Sequence, residues 1–565
     1  MRLQHLLSSC WVLFQILPSL LTAYPYSPTI PQVASQGVPW PLPKTISFGS
    51  ANLTLDPGSL QITTNSTCQI VTEAIQRYKN IIVKEAGKSS RALNRVFDRF
   101  QRTADGQFKS LQVIVGKQGS CDQYPYLGMN EAYTLSVNES GTAVLRAPEI
   151  WGALRGLETF SQLIYLGSDS QDNGDGFPLL LRTASIDDQP RFEHRGVLLD
   201  TSRHFISINT IKKNLDLMAF AKYNVFHWHI VDDQSFPYDS ARYPDLSRKG
   251  AYTKTHVYSA KDISAIVEYA RLRGIRVIPE FDTPGHVLSW GWGQPGLLTQ
   301  CFSGEQPLPS DDYGVINPSS NVTFPFLLNI LTEISQRFPD QYVHLGGDEV
   351  FFDCWRSNGQ VQKLMQSLNI SKGHEAKLEE YYMQKVVDLI KQASPQKGNT
   401  SSYLVWQEVF DNGVRLDSQA IVHVWKGNYF FEWGWEVFKA TFYKLRVILS
   451  SCWYLSNIKY GENWESYYRC DPHHFIGTKH QKSLVIGGEA CMWGEFIDAT
   501  NVLSTLWPRA SVVAERLWSP ADVNDADRAR PRLAEHRCRL VRRGYPASPV
   551  LGPGYCQIEW DNKQR

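Results

Sequence analysis

Residues 342–350 read YVHLGGDEV: an apolar run, two glycines, then an adjacent acidic pair. The apolar part has the length and make-up of a buried strand. The glycines let the backbone turn tightly where the strand stops. Asp348 and Glu349 therefore stand at a strand's C-terminal end. Outward in both directions the same design recurs. Seven further apolar runs close on polar or aromatic residues: RGVLLDTSR (195–203), NVFHWHIVDD (224–233), IRVIPEFD (275–282), YLVWQE (403–408), AIVHVW (420–425), RVILSSCWYL (446–455) and SLVIGGEACMWGE (483–495). Amphipathic stretches suited to helices, such as DISAIVEYARLRG (262–274), separate several of them. Eight buried parallel strands alternating with helices predict an α/β fold, a (β/α)8 TIM barrel, with its functional groups at the strand C-terminal ends. All eight runs offer candidates there: Arg203, Asp232 with Asp233, Asp282, Asp348 with Glu349, Glu408, Trp425, Tyr454, and Trp493 with Glu495. For Asp233 and Glu408 a second reading stays open, as caps of the following helices.

Before the barrel the pattern differs. Residues 1–23 read as a signal peptide, with Arg2 and His5 ahead of an apolar run (6–21) broken by Pro18, and small residues at Thr22-Ala23. The run is too short for a membrane span. Residues 24 to about 45 are rich in proline and read as an extended lead-in. Strand-like LQVIVG (111–116) and YTLSV (133–137) accompany a helix-like EIWGALRGLETFSQLIY (149–165), where Ile150, Leu154, Leu157 and Phe160 share one face. The expected organisation is a smaller α/β domain over 24–185, without a catalytic cluster, and the barrel over 186–565.

Composition narrows the class. Lys+Arg number 57 and Asp+Glu 56, so the net charge of +1 gives no reason to expect nucleic acid or an anionic membrane as partner. Six N-x-[S/T] sequons, at Asn52, Asn65, Asn138, Asn321, Asn369 and Asn399, agree with a secretory route. Ten cysteines are present, and Cys10 leaves with the signal peptide. The remaining nine leave at least one without an intramolecular partner, and no C-x-x-C pair suggests zinc. The 17 tryptophans are core by default, yet also suit a cleft where flat rings stack on sugars.

Glycosidases usually place two carboxyls on opposite sides of the scissile bond. The neighbours Asp348 and Glu349 are better suited to acting side by side. One would protonate the leaving oxygen while the other holds a group already on the substrate, as in substrate-assisted families. The plainer reading is a solvated acidic pair at a helix start. A second motif, HWH (227–229), puts His227 and His229 on one strand face. That pattern also occurs in metal-dependent amidohydrolase barrels, which would recruit His286, His344 or His423. Satisfied core histidines are the alternative to that reading. A third class is an inactive sugar-binding protein. Turnover of a chromogenic glycoside, with and without chelator, separates the three.

HLGGDEV (344–350), FHWHIVDDQSFPY (226–238), EFDTPGH (280–286), VVAERLW (512–518) and GGEACMWGE (487–495) together closely resemble the lysosomal β-hexosaminidases of glycoside hydrolase family 20. The likeness runs from WPLP (40–43) through WGALRGLETFSQL (151–163) to near the end of the chain. It implies a retaining exo-glycosidase that releases terminal β-N-acetylglucosamine and β-N-acetylgalactosamine, needs no cofactor or metal, and uses the substrate's 2-acetamido group as nucleophile. By resemblance Glu349 is the general acid/base and Asp348 orients the acetamido group. Tyr454 hydrogen-bonds the acetamido carbonyl. Trp406, Trp425 and Trp493 wall the pocket. Arg203 and Glu495 bind sugar hydroxyls, and Asp232 with His286 orients Glu349. Nearby carboxylates and partial burial should raise the pKa of the acid.

The same resemblance pairs Cys68 with Cys121, Cys301 with Cys354 and Cys538 with Cys556, and makes Cys491 a buried thiol. Cys452 and Cys470 have no counterpart there, and by arithmetic they are expected to pair with each other. The resemblance further implies a homodimer or a heterodimer with a related subunit, a lysosomal location, and glycans ending in N-acetylhexosamine as substrates. CFSGEQPLP (301–309) leans towards the subunit type that docks a lipid-transfer activator, while VILSS (447–451) and FIDATN (496–501) lean the other way. Ser456-Asn457, after WYL, is neither a sulfate-holding nor a sulfate-repelling pair. The segment GNYFFEWGWEVFKATFYKLR (427–446) is more aromatic than the resemblance leads one to expect.

Overall fold

The structure, a computed structural model, describes residues 33–85, 105–117, 121–167, 179–309, 314–393, 402–427, 429–457 and 461–556. The expected signal peptide, Cys10 and Asn399 lie outside the described residues. The eight apolar runs form β1 (His194–Asp200), β2 (Val225–His229), β3 (Arg276–Glu280), β4 (Tyr342–His344), β5 (Ser402–Trp406), β6 (Ala420–Val424), β7 (Arg446–Leu449) and β8 (Val485–Met492). They close in that order into one barrel, every pair parallel, with β8 bonded back to β1. The strands carry little polar alternation because one face meets helices and the other fills the barrel.

That filling is layered. Val225, Ile278, Tyr342, Leu404, Ile421, Ile448 and Ile486 form an apolar plug. Two residues further along their strands stand His227, Glu280, His344, Trp406 and His423, on the same inward face by the strand period. The upper layer is thus polar and aromatic, and the strand C-terminal ends lie above it.

Helices wrap the barrel where the sequence provides starts. Ser259 and Asp262 form a reciprocal capping box that begins the helix Ala260–Arg271, two residues ahead of the amphipathic stretch. Ser207 caps Ile208–Phe220 by accepting from the Thr210 N–H. The helix Phe430–Phe442 takes up the aromatic segment. It buries Trp433 and Val437 and leaves Phe431, Trp435 and Phe442 exposed.

The preceding domain is an eight-stranded mixed sheet packed against the helices Gln69–Glu85 and Ile150–Gln162. Its strand Leu179–Asp188 crosses the expected boundary at 185. The expected helix over 149–165 ends at Gln162, because Ile164–Leu166 forms a short strand against Leu179–Leu181. All residues of Ile150–Gln162 are buried, the polar ones included. The barrel covers its second face with ion pairs. Glu131 receives both Arg155 and Arg195, at 2.8 and 2.6 Å, and Glu158 receives Arg543 at 2.9 Å. The lead-in also docks on the barrel: Trp40 is fully buried and donates its indole N–H to Ser511 O at 2.7 Å.

Disulfides join Cys68 to Cys121, Cys301 to Cys354 and Cys538 to Cys556, with Cα separations of 5.4, 4.3 and 5.3 Å. Cys491 is unpaired and buried. Among the sequon asparagines, Asn65, Asn138, Asn321 and Asn369 are exposed. Asn52 is half-buried and accepts from the Tyr165 hydroxyl.

Candidate active site

The turn after β4 decides the geometry. Gly346 and Gly347 hold φ of 69° and 99°. A Cβ on Gly346 would stand 1.6 Å from Asp282 Oδ1, and one on Gly347 would stand 2.2 Å from Val409 Cγ2. Only glycine fits either position. The turn aims the Gly347 N–H at Asp282 Oδ1, 2.7 Å away. It buries Asp348 and leaves the Glu349 side chain 48% exposed at the mouth.

His286, after β3, meets all of these groups. Its Nε2 lies 3.6 Å from Glu349 Oε2, 3.7 Å from Asp348 Oδ2 and 4.0 Å from Asp282 Oδ2. Its Nδ1 lies 3.3 Å from Asp232 Oδ1. His286 (φ 58°) and Glu349 (φ 48°) both adopt left-handed backbone, which is costly for such residues and concentrates at functional sites.

Electrostatics sort the four carboxyls. Burial raises Asp282, and the adjacent Asp348 raises it further, well above the usual range. Burial also raises Asp348, against the pull of His286 and a hydrogen bond from Asp282. Of this pair Asp282 is raised the further, so it takes up a proton the more readily. Glu349 behaves in the opposite way: the His286 imidazole beside it lowers its pKa, outweighing partial burial. The expected rise in the acid's pKa is thus found at Asp282 and Asp348, and Glu349 corrects it. Half-exposure spares Glu349 most of the desolvation, and an imidazole stands beside it. His286 is raised well above its usual value, since Asp232 and Glu349 overcome its burial. Asp232 is pushed far below the usual range by His229, His286 and Arg203 despite its burial.

A cavity of about 320 Å³ opens over these groups. Arg203, Asp232, His286, Asp348, Glu349, Trp425, Tyr454, Trp493 and Glu495, all expected from the sequence, line it. Arg203 is held by Asp200 at 2.9 Å and Asp232 at 2.8 Å, with its guanidinium over the Trp493 ring. Tyr454 stacks on Trp425, with centroids 6.0 Å apart. Trp425 donates its N–H to Glu408, which Lys426 also pairs at 2.8 Å. Trp406 is the exception. It is not on the cavity surface but backs Trp425 and Trp493, 6.3 and 6.0 Å away. Trp406 is the last residue of β5, and its ring is buried in the barrel's upper layer beside Leu198 and Cys491. Ser456 and Asn457 sit at the rim. Cys452 is joined to Cys470 across the loop that carries them, with Cα atoms 6.4 Å apart.

Asp233 caps a helix, but not the following one in sequence: its carboxylate accepts from the Leu288 N–H at 2.8 Å. Glu408 lies inside the short helix Gln407–Asp411 and acts on Trp425 instead of capping. His227 and His229 point into the barrel. His227 contacts Glu489 at 2.7 Å and Glu280 at 3.0 Å. His229 contacts Glu280 at 2.7 Å and Asp232 at 2.8 Å. His227, His344 and His423 bring ring nitrogens within 4.8 Å of one another, yet both nitrogens of His227 already face carboxylates. The carboxylates that engage these rings, Glu280 and Glu489, were not singled out from the sequence. The signal was available: a charge inside an otherwise apolar strand must be paired when buried.

Residues 192–521 match the family model described as "Glycosyl hydrolase family 20, catalytic domain", and residues 39–163 match "beta-acetyl hexosaminidase like". The chain is 48% identical over 537 residues to "Beta-hexosaminidase subunit beta" of Homo sapiens, covering 94% of this chain and 92% of that one. The chain belongs to glycosyl hydrolase family 20. It is 44% identical over 529 residues to "Beta-hexosaminidase subunit alpha" of Bos taurus, covering 92% of this chain and 95% of that one. The solved chitobiase of Flavobacterium johnsoniae superimposes with a TM-score of 0.73 at 27% identity, over 89% of this chain and 72% of that one. This family 20 chain is a glycoside hydrolase that removes terminal β-N-acetylhexosamine from non-reducing ends. Family membership favours neither the amidohydrolase reading nor the inactive sugar-binding one.

Proposed function

We propose that the reaction runs between Asp348 and Glu349, with the substrate's own acetamido oxygen as nucleophile. The supporting observation is the single imidazole of His286, within 4.0 Å of three carboxyls and bonded on its far side to Asp232. In the open pocket His286 and Glu349 share one proton, held on the imidazole. A sugar seated on Trp493 and Trp425 expels water, which favours the uncharged arrangement of the pair. Glu349 then carries the proton and gives it to the glycosidic oxygen as the bond to the anomeric carbon breaks. The acetamido carbonyl, held by the Tyr454 hydroxyl, attacks that carbon. Asp348, favoured as the carboxylate by the neighbouring Asp282 carboxyl, accepts from the acetamido N–H and stabilises the cyclic oxazolinium. Water opens the ring and passes its proton back to Glu349, so the configuration is retained. Arg203 and Glu495 take the hydroxyls of the non-reducing end.

The test is product stereochemistry together with inhibition by a thiazoline that mimics the cyclised intermediate. Retention with strong inhibition is expected, and glucosides lacking the acetamido group should be very poor substrates. A covalent sugar trapped on any carboxylate would refute the reading.

The setting follows from the same reading. The secretory features of the sequence and the likeness to the mammalian subunits support a lysosomal location. Among the described residues no helix is long and apolar enough to cross a membrane. Relatives named as subunits support pairing with an identical or related chain. The hairpin of Phe302–Ser303 against Gln306–Pro307 projects at 301–309, where an activator of the lipid-transfer kind would dock. Gel filtration, and ganglioside turnover with and without such an activator, check these two points.

A further inference from the structure

Glu280 ends β3 inside the barrel and is fully buried. Its two oxygens serve different parts of the site. Oε1 accepts from the Trp406 indole N–H at 2.7 Å, and Trp406 backs the rings of Trp425 and Trp493. Oε2 accepts from His229 Nδ1 at 2.7 Å and lies 3.0 Å from His227 Nε2. From there the chain continues outward. His229 Nε2 meets Asp232 Oδ2 at 2.8 Å, Asp232 Oδ1 meets His286 Nδ1 at 3.3 Å, and His286 Nε2 faces Glu349. One carboxylate therefore stands between the wall behind the sugar and the network behind the acid.

We propose that Glu280 is a positioning residue of this hydrolase, which through His229 and Asp232 aligns His286 with Glu349 while independently anchoring Trp406 behind the sugar pocket. The inference rests on the assignment of Glu349 as the acid. A buried carboxylate that only neutralised a neighbour would need one partner. Glu280 has donors on both oxygens, from two different strands: Trp406 of β5 packs behind the rings at the cavity, and His229 of β2 is bonded onward to Asp232, which lines it. The charges balance along the chain. Burial lowers His229, but Glu280 and Asp232 raise it to about 10. Burial likewise lowers His227, and Glu489 with Glu280 raises it to about 9. Burial holds His344 down at about 3, so it faces Glu280 as a neutral ring. The imidazolium of His229 in turn keeps Asp232 ionised, which orients His286. Removing such an outer partner typically costs about 10–100-fold in activity.

The experiment severs the two arms separately. In Glu280→Gln the carboxamide oxygen can still accept from Trp406, an obligate donor, while its NH2 faces His229 and cannot accept. Active sites are counted by thiazoline titration, so unfolded protein does not enter kcat. Glu280→Gln should lower kcat per titrated site about 10–100-fold with KM and thiazoline affinity little changed. His229→Gln should do the same, and the double variant should cost little more than either single one. Trp406→Phe, which cuts only the other arm, should raise KM and weaken the thiazoline with kcat nearly kept. A structural role alone would reduce the number of titratable sites and leave these constants alone. Wild-type kcat per site in Glu280→Gln, or losses that simply multiply in the double variant, would overturn the inference. If Glu280→Gln does not fold, equal effects of His229→Gln and Trp406→Phe on both kcat and KM would overturn it. A wild-type enzyme that the thiazoline fails to inhibit would bring down the site assignment and this inference together.

Discussion

Asp282 Oδ1 occupies the space that a Cβ on Gly346 would need, the two points lying 1.6 Å apart. The carboxyl that steadies Asp348 is therefore seated against bare backbone, and the site can close only where β4 is followed by glycine.

That contact makes Gly346→Ala a sharp test. The new methyl must displace Asp282, on a residue whose φ of 69° already disfavours a side chain. Overpacking costs about 1–3 kcal/mol of stability. Activity should fall further than stability, because Asp348 loses the carboxyl that steadies it. Thermal unfolding and kcat on the same preparation check this. Stability lost with kcat per folded molecule intact would count against a role for Asp282.

Glu349→Gln keeps shape but cannot deliver a proton. A general acid contributes about 10²–10⁴-fold. The loss should be largest for natural glycans and small for aryl leaving groups that depart unprotonated. Equal losses on good and poor leaving groups would remove Glu349 from the acid role.

His286 should govern the alkaline limb of the pH profile. In the wild type the active form is the His286–Glu349 pair carrying one proton. That proton is lost only as pH rises through the raised pKa of His286. With His286→Asn the proton must sit on Glu349 alone, whose carboxyl releases it at lower pH. The alkaline limb of kcat/KM should therefore move down, and activity near neutrality should fall more than activity in acid. A limb that stays in place or moves up would contradict the shared proton.

The bond between Cys452 and Cys470 braces the loop of Tyr454, Ser456 and Asn457. Closing a loop of this size contributes roughly 3 kcal/mol in the chain-entropy model. Replacing both cysteines with serine should lower the melting temperature and raise KM, since Tyr454 then moves against Trp425. Non-reducing peptide mapping reads the bond directly. Recovery of the two cysteines as separate alkylated peptides would dismiss it.

The linear sequence was enough for the architecture of this protein. Eight apolar runs became eight strands within a few residues, because strands buried on both faces show as uninterrupted hydrophobic stretches. It also marked Asp348, Glu349, Tyr454 and Arg203, since strand ends in such a barrel converge on one face. Tertiary structure alone decided which groups share protons. Glu349 holds a lowered pKa because His286, 63 positions earlier, lies within reach, and no local spacing records that. Trp406 and Glu280 were equally illegible as partners. Their bond joins β3 to β5 across the barrel interior, through a register that exists only once all eight strands have closed.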